Sequence, residues 1–119
     1  MYRISTVLET WSVVIIKIAG QVKDFDLPGW SDFLKELEND TGRWIVLDFC
    51  DASRVDRKPA ELLVRNLPEH VLLLNCPNGI KNMAESGGLR GQVLEPATGQ
   101  DRCFLDRNIW NNSARGSVA

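Results

Sequence analysis

The sequence of 119 residues contains few of the side chains from which catalytic and metal sites are built. It has a single histidine, His70, and three cysteines at positions 50, 76 and 103, none of them in a Cys-x-x-Cys pair. Nucleophilic catalysis needs a base beside the nucleophile, and metal sites need ligands at close, regular spacing. A glycine-rich phosphate-binding loop is also missing. We therefore predict no catalytic residues, no metal, no cofactor and three reduced, buried thiols.

The sequence also lacks an excess of basic charge and any long hydrophobic run. Its 14 basic and 16 acidic side chains give a formal net charge of −2, whereas binding a phosphate backbone normally needs concentrated Lys and Arg. The longest early apolar run, Val13–Ile16, is too short for a membrane span, and no signal-peptide pattern precedes it. We expect a cytoplasmic protein that neither binds nucleic acid nor inserts into a membrane.

The residues that are present, 44% hydrophobic and 25% charged, are typical of one globular domain. A weak strand pattern over residues 2–9 and a dense β-branched run over residues 11–22 predict an N-terminal hairpin. Pro28 suits the first turn of a helix, and Gly42 suits its end. The apolar residues between them have helical spacing: Trp30, Phe33, Leu34 and Leu37.

The rest of the chain continues to alternate strands and helices. Strands are predicted over residues 43–49, 70–75 and, more weakly, 89–95, with helices beginning at Pro59 and near Asn78. This alternation predicts the α/β class, with a mixed, mostly parallel sheet, an N-terminal hairpin and crossover helices. We place the domain at residues 1–96. Residues 97–119 are interpreted as a tail in which 103–110 dock and the end from 113 frays.

The four tryptophans are predicted to have different roles. Trp30 on a helix face and Trp44 at the head of a strand are expected in the core. Trp11 and Trp110 lie near the ends of the folded body. They either form an aromatic patch for self-association or a partner, or they pack the tail onto the domain.

A run from Val46 to Asp56, Val-Leu-Asp-Phe-Cys-Asp-Ala-Ser-Arg-Val-Asp, includes the end of the second buried strand. It resembles the central motif of STAS domains, the family of bacterial anti-sigma factor antagonists and sulfate-transporter cytoplasmic domains, in which a strand ends in Asp-Leu-Ser and a further Asp precedes a helix. Residues 14–22 resemble the family's opening strand, and residues 83–89 resemble its helix that ends in Ser-Gly-Leu. The resemblance spans about residues 11–95 and implies a STAS-like fold.

The sequence departs from the family at one functional position. In these antagonists the second residue after the motif Asp is a Ser that a partner kinase phosphorylates, and the added charge switches partner binding. Here Asp56 is followed by Arg57 and Lys58, so that Lys58 occupies the phosphoacceptor position. We expect no phospho-switch at this place. We also expect the helix to begin at Pro59, since a residue before proline favours extended geometry.

The resemblance places a protein-binding surface on this loop and on the exposed face of the following helix. The expected partner-binding residues are Ser53, Arg54, Asp56, Arg57, Lys58 and Glu61. One alternative is that Arg57 and Lys58 pair with acidic groups or an anion near the helix N-terminus. The other is that Asp56 caps the helix and the two cations are solvated neighbours of its positive end.

We interpret the chain as a non-catalytic regulatory module of the anti-sigma factor antagonist type. It would act in bacterial transcription signalling through a protein partner such as an anti-sigma factor kinase. A homodimer is one of the oligomeric states that the sequence allows. One alternative is a structural STAS-like subunit of a lipid-transport ABC complex, for which a missing phosphoacceptor is no handicap. Another is a small enzyme that uses two thiols or the carboxylates at the strand edge: Cys50, Cys76, Asp48, Asp51 and Asp56.

Overall fold

The computed structural model describes residues 2–94. The strands are β1 (Tyr2–Glu9), β2 (Val13–Val22), β3 (Trp44–Val55), β4 (Val71–Leu74) and β5 (Val93–Leu94). The helices are α1 (Leu27–Asn39), α2 (Arg57–Arg65) and α3 (Asn78–Ser86), with single 3-10 turns at Asp24–Asp26 and Arg90–Gln92. None of the helices within residues 2–94 is long and apolar enough to cross a membrane. The predictions for the tail, including Cys103 and Trp110, lie outside the described residues.

The strands form one sheet in the order β1-β2-β3-β4-β5. β1 pairs antiparallel with β2, and the remaining neighbours pair in parallel. The predicted mixed α/β sheet with an N-terminal hairpin is therefore confirmed. Each parallel pair is joined by a helix, and such crossovers are right-handed. Because the parallel strands follow one another in sequence order, all three helices lie on the same face of the sheet.

The core lies between that face and the helices. Ile18, Leu47 and Leu73, one from each of three neighbouring strands, have no exposed surface and pack in one cluster with residues from every helix. α1 buries the four apolar residues predicted from their spacing. α2 and α3 are only nine residues long. Helices this short are marginal in isolation, so burial of their apolar faces is what stabilises them.

The structure corrects two predicted element boundaries next to the candidate site. β3 does not end at residue 49 but continues to Val55, because its last residues pair with β2 as far as the Val22–Val55 pair. α2 begins at Arg57 and not at Pro59, which is buried in the first turn. Proline is tolerated there because an N–H in the first turn has no intrahelical partner. Ser53 and Arg54 therefore lie on a strand and not in a loop.

The prediction that Trp44 belongs to the core is wrong, since the residue is 53% exposed. It is the first residue of β3 and lies at the end of the sheet, where its backbone N–H donates to the Ser12 carbonyl at 2.9 Å. Trp11, next to Ser12, is 90% exposed. Trp30, by contrast, is fully buried as predicted.

Candidate functional site

The residues predicted to bind a partner lie where β3 ends and α2 begins; we call this region the β3–α2 junction, residues 53–61. Ser53 and Arg54 are exposed near the end of strand β3, and Arg57 and Lys58 are exposed in the first turn of helix α2. Glu61 follows one turn later and is partly buried. The structure thus brings the predicted residues together on a continuous stretch of surface.

Asp56 organises this junction by a different contact from the one expected. It is the N-cap residue of α2, but its carboxylate makes no capping hydrogen bond to that helix. Instead its oxygens accept from the Arg54 Nε at 2.8 Å and from the backbone N–H of Asp24 at 3.1 Å. The Asp56 backbone donates to the Val22 carbonyl at 2.8 Å. The alternative in which the Asp56 side chain caps the helix is therefore wrong, because the carboxylate is turned toward the segment after β2.

Asp24 supplies the missing cap from a distant part of the chain. Its carboxylate accepts a hydrogen bond from the backbone N–H of Lys58 at 3.3 Å, while its own N–H donates to Asp56. A carboxylate near the first turn of a helix is favoured by the N–H groups that lack intrahelical partners. Sequence reasoning missed Asp24 because it lies 34 residues from Lys58, and no local pattern links the two.

A buried hydrogen bond fixes α2 against α1 at the same place. The indole Nε1 of Trp30 donates to the Pro59 carbonyl at 3.0 Å. The ring also lies edge-on to Tyr2, with centroids 5.7 Å apart, and tilted against Phe33 at 5.5 Å. The first turn of α2, which carries Lys58, is therefore fixed to the hydrophobic core through Trp30.

The cations of the junction differ in their partners. Arg57 forms an i,i+4 ion pair with Glu61, Nε to Oε1 at 2.6 Å. Its side chain is 84% exposed, so solvent screening limits the pair to no more than about 0.5 kcal/mol. Arg54 pairs with Asp56. Within residues 2–94 the Lys58 side chain has no ion pair, so its charge is available on the surface.

Comparison with known proteins connects this geometry to one fold. No family model and no curated sequence matches the chain. Solved structures do match: SpoIIAA in its unphosphorylated form has a TM-score of 0.57 at 15% identity, covering 96% of this chain and 97% of that one. The Bacillus cell fate determinant SpoIIAA in its phosphorylated form has a TM-score of 0.62 at 14% identity, covering 98% and 100%. An anti-sigma factor antagonist from Mycobacterium paratuberculosis has a TM-score of 0.57 at 12% identity, covering 91% and 96%.

The fold is that of the anti-sigma factor antagonists. This confirms the STAS-like architecture that the sequence motifs implied, over nearly the whole length of these neighbours. At identities of 12–15% the likeness concerns the fold alone.

A groove between α1 and α2 adjoins the β3–α2 junction of the antagonist fold. It encloses about 450 Å³ and is lined, among others, by Leu27 and Ser31 of α1 and by Lys58, Leu62 and Arg65 of α2. A smaller cavity of about 140 Å³ continues it along the same two helices and shares Ser31 and Leu62. Sequence reasoning included Lys58 but missed the groove, since its walls come from separate helices.

The carboxyl edge of the parallel strands carries the groups considered for catalysis. Asp48 is only 1% exposed, and its Oδ1 accepts from the Cys50 backbone N–H at 2.9 Å and from the Asn75 amide at 3.0 Å. A carboxylate fixed and buried in this way holds the strand end together. Cys76 is a partly buried thiol that lines, with Ser53 and Asn75, an open cavity of about 510 Å³.

Cys50 and His70 are the two other residues with reactive side chains in the described part of the chain. The Cys50 Sγ lies 3.5 Å from the Asp51 Oδ1, and the expectation of a reduced thiol at this position stays a prediction. The His70 ring lies away from the edge, with Nε2 2.7 Å from the Leu37 carbonyl, so it ties the start of β4 to α1. Within residues 2–94 no group of three or more His, Cys, Asp or Glu could hold a metal ion.

Proposed function

We propose that this chain is a non-catalytic regulatory module of the anti-sigma factor antagonist type. It acts in bacterial transcription signalling, in the cytoplasm, by binding a protein partner such as an anti-sigma factor kinase. The observation that carries the proposal is the antagonist fold over nearly the whole chain. The exposed, charged β3–α2 junction supports it, because this is the surface that the motif resemblance assigns to the partner.

The junction bears a fixed positive charge where the motif resemblance places a phosphorylatable hydroxyl. One structural neighbour, SpoIIAA, is known in phosphorylated and unphosphorylated forms. In this chain the first turn of α2 reads Arg-Lys-Pro-Ala, with no hydroxyl to accept a phosphoryl group. Ser53 is the nearest upstream hydroxyl, and it lies on β3, where its Oγ donates to the Gly20 carbonyl at 3.2 Å. We propose that partner binding is not switched by phosphorylation at this position.

Two measurements on the full chain test these statements. Affinity capture from the native lysate, followed by titration calorimetry with the captured protein, should yield an anti-sigma factor. Arg57→Ala and Lys58→Ala should weaken its binding, whereas Arg3→Ala, an exposed cation on β1, should leave the affinity unchanged. Capture of an ABC ATPase instead of an anti-sigma factor would support the structural-subunit alternative and reject this proposal.

Phosphorylation is tested separately with the captured kinase and ATP. Intact-mass spectrometry should show no mass gain for this chain, while an antagonist with the family Ser serves as the positive control for kinase activity. A gain of one phosphoryl group that maps to Ser53 or elsewhere in residues 53–61 would overturn the statement that the junction carries a fixed charge.

A further inference from the structure

The groove between α1 and α2 is long enough to hold a segment of another protein. Its walls run from Leu27 to Glu38 along α1, a distance of roughly 16 Å at the rise of an α-helix, which corresponds to about three turns. On α2 the lining residues Lys58, Glu61, Leu62 and Arg65 follow one another at helical spacing and face α1. A groove between two packed helices with these dimensions matches the shape of a third helix.

The floor of the groove is apolar, and it remains partly open to solvent. Leu27 and Leu62 are both of intermediate exposure, while their neighbours Leu34 and Leu63 are buried in the core. Apolar side chains left half-exposed in a concave surface are stabilised when another apolar surface covers them. The occupant therefore needs apolar side chains on one face.

The rim of the groove is positively charged. Lys35, Lys58 and Arg65 are exposed, and none of them forms an ion pair with another residue of the 2–94 segment. Two carboxylates also line the groove: Glu61, which is already paired with Arg57, and Glu38, which lines the smaller cavity and leaves the three cations in excess. This local excess of positive charge occurs on a chain whose formal net charge is −2, so it favours an acidic occupant and disfavours a basic one.

We propose that this groove binds an acidic amphipathic helix of the partner protein. The apolar face of that helix covers Leu27 and Leu62, and its carboxylates pair with Lys58 and Arg65. The inference rests on the proposed function, since it specifies the chemistry of the partner that the β3–α2 junction recruits. It also gives Lys58 a direct role, because this residue belongs both to the junction and to the groove.

The first test uses two labelled helical peptides of about four turns, measured by fluorescence anisotropy with the full chain. Both carry leucines at i, i+3, i+4 and i+7; one has glutamates on its flanks, and the other has lysines. We expect the acidic peptide to bind at least about tenfold more tightly than the basic one. Equal affinity, or a preference for the basic peptide, would overturn the proposal.

Charge reversal within the groove is the second test. Lys58→Glu combined with Arg65→Glu should weaken the acidic peptide at least about tenfold, while Arg3→Glu combined with Arg90→Glu, outside the groove, should leave it unchanged. All four residues are exposed, so circular dichroism should show unchanged folding. If the reversal unfolds the chain, Leu62→Gln becomes the test variant, and retained affinity in it would reject the groove.

The remaining outcomes separate this inference from the proposed function. If an anti-sigma factor binds the chain and the Lys58→Glu, Arg65→Glu variant keeps its full affinity, the groove proposal fails while the proposed function stands. If no anti-sigma factor binds and the acidic peptide does, the proposed function fails and the groove stands. Self-association that the same variant abolishes, seen by sedimentation, would make a second copy of this chain the occupant and would overturn the inference.

Discussion

The hydrogen bond from Trp30 to Pro59 makes a specific prediction about how the candidate site is held in place. Trp30→Phe removes the indole N–H that donates to the Pro59 carbonyl at 3.0 Å but keeps an aromatic ring in the core. Because Pro59 lies in the first turn of α2, the substitution should loosen the turn that carries Lys58 as well as destabilise the fold.

The expected magnitude follows from two losses at a fully buried position. Loss of the buried hydrogen bond costs about 1 kcal/mol, and the space left by the smaller ring costs about 1 kcal/mol more. The free energy of unfolding should therefore fall by about 2 kcal/mol. With a urea m-value of about 2 kcal/mol per molar, the unfolding midpoint should fall by about 1 M.

The assay is urea unfolding followed by far-ultraviolet circular dichroism, because tryptophan fluorescence itself changes in the variant. Trp44→Phe is the matched control: the same chemical change at a residue that is 53% exposed should cost less than about 0.5 kcal/mol. Amide hydrogen exchange should quicken in the first turn of α2 only in the Trp30 variant. Equal destabilisation by the two substitutions would refute the assignment of Trp30 as the residue that holds this turn.

Two further predictions concern buried or partly buried polar groups. Burial, followed by the nearby Asp26 and Asp32 carboxylates, raises the pKa of Tyr2 above its ordinary value of 10.0, and since Tyr2 is the only tyrosine its titration is read directly from tyrosinate absorbance. Tyr2 should therefore ionise at a higher pH in the folded chain than in the urea-unfolded chain. The contribution of neutral Tyr2 to the free energy of unfolding is fully present below pH 10 and is lost as the pH rises through the folded pKa. Coincident titration curves for the folded and unfolded chains would contradict this prediction. Asp48→Ala should cost about 2–4 kcal/mol because it leaves the Cys50 and Asn75 donors without their acceptor, and Asp48→Asn should cost less; equal urea midpoints for the two variants would reject this role.

Most of the fold could be predicted because its signals are local. The helical spacing of Trp30, Phe33, Leu34 and Leu37 identified the buried face of α1 without reference to any other element. The end of β3 could not be found in this way. Residues 50–55 are mostly polar or small and resemble a loop, and they form a strand because β2, about 30 residues earlier, pairs with them as far as Val55.

The candidate site was predicted in part for the same reason. Motif spacing located the β3–α2 junction and predicted that Lys58 occupies the position of the family's phosphoacceptor. It did not reveal that Asp24 caps α2, that Asp56 turns away from the helix, or that Leu62 and Arg65 belong to a groove. These features depend on contacts between different elements. The sequence pattern predicts the order of the elements along the chain but not how they pack against one another.

The sequence alone determined that histidine and closely spaced cysteine pairs are scarce and which residues begin α2. Composition and covalent order do not depend on folding. The alternation of strands and helices followed from periodicity, which acts within a few residues. Only the tertiary structure decided what surrounds Lys58. Its backbone is held by Asp24, 34 residues away, and the turn beneath it by Trp30, 29 residues from Pro59, and such partners become neighbours only when the crossover helices pack on the sheet.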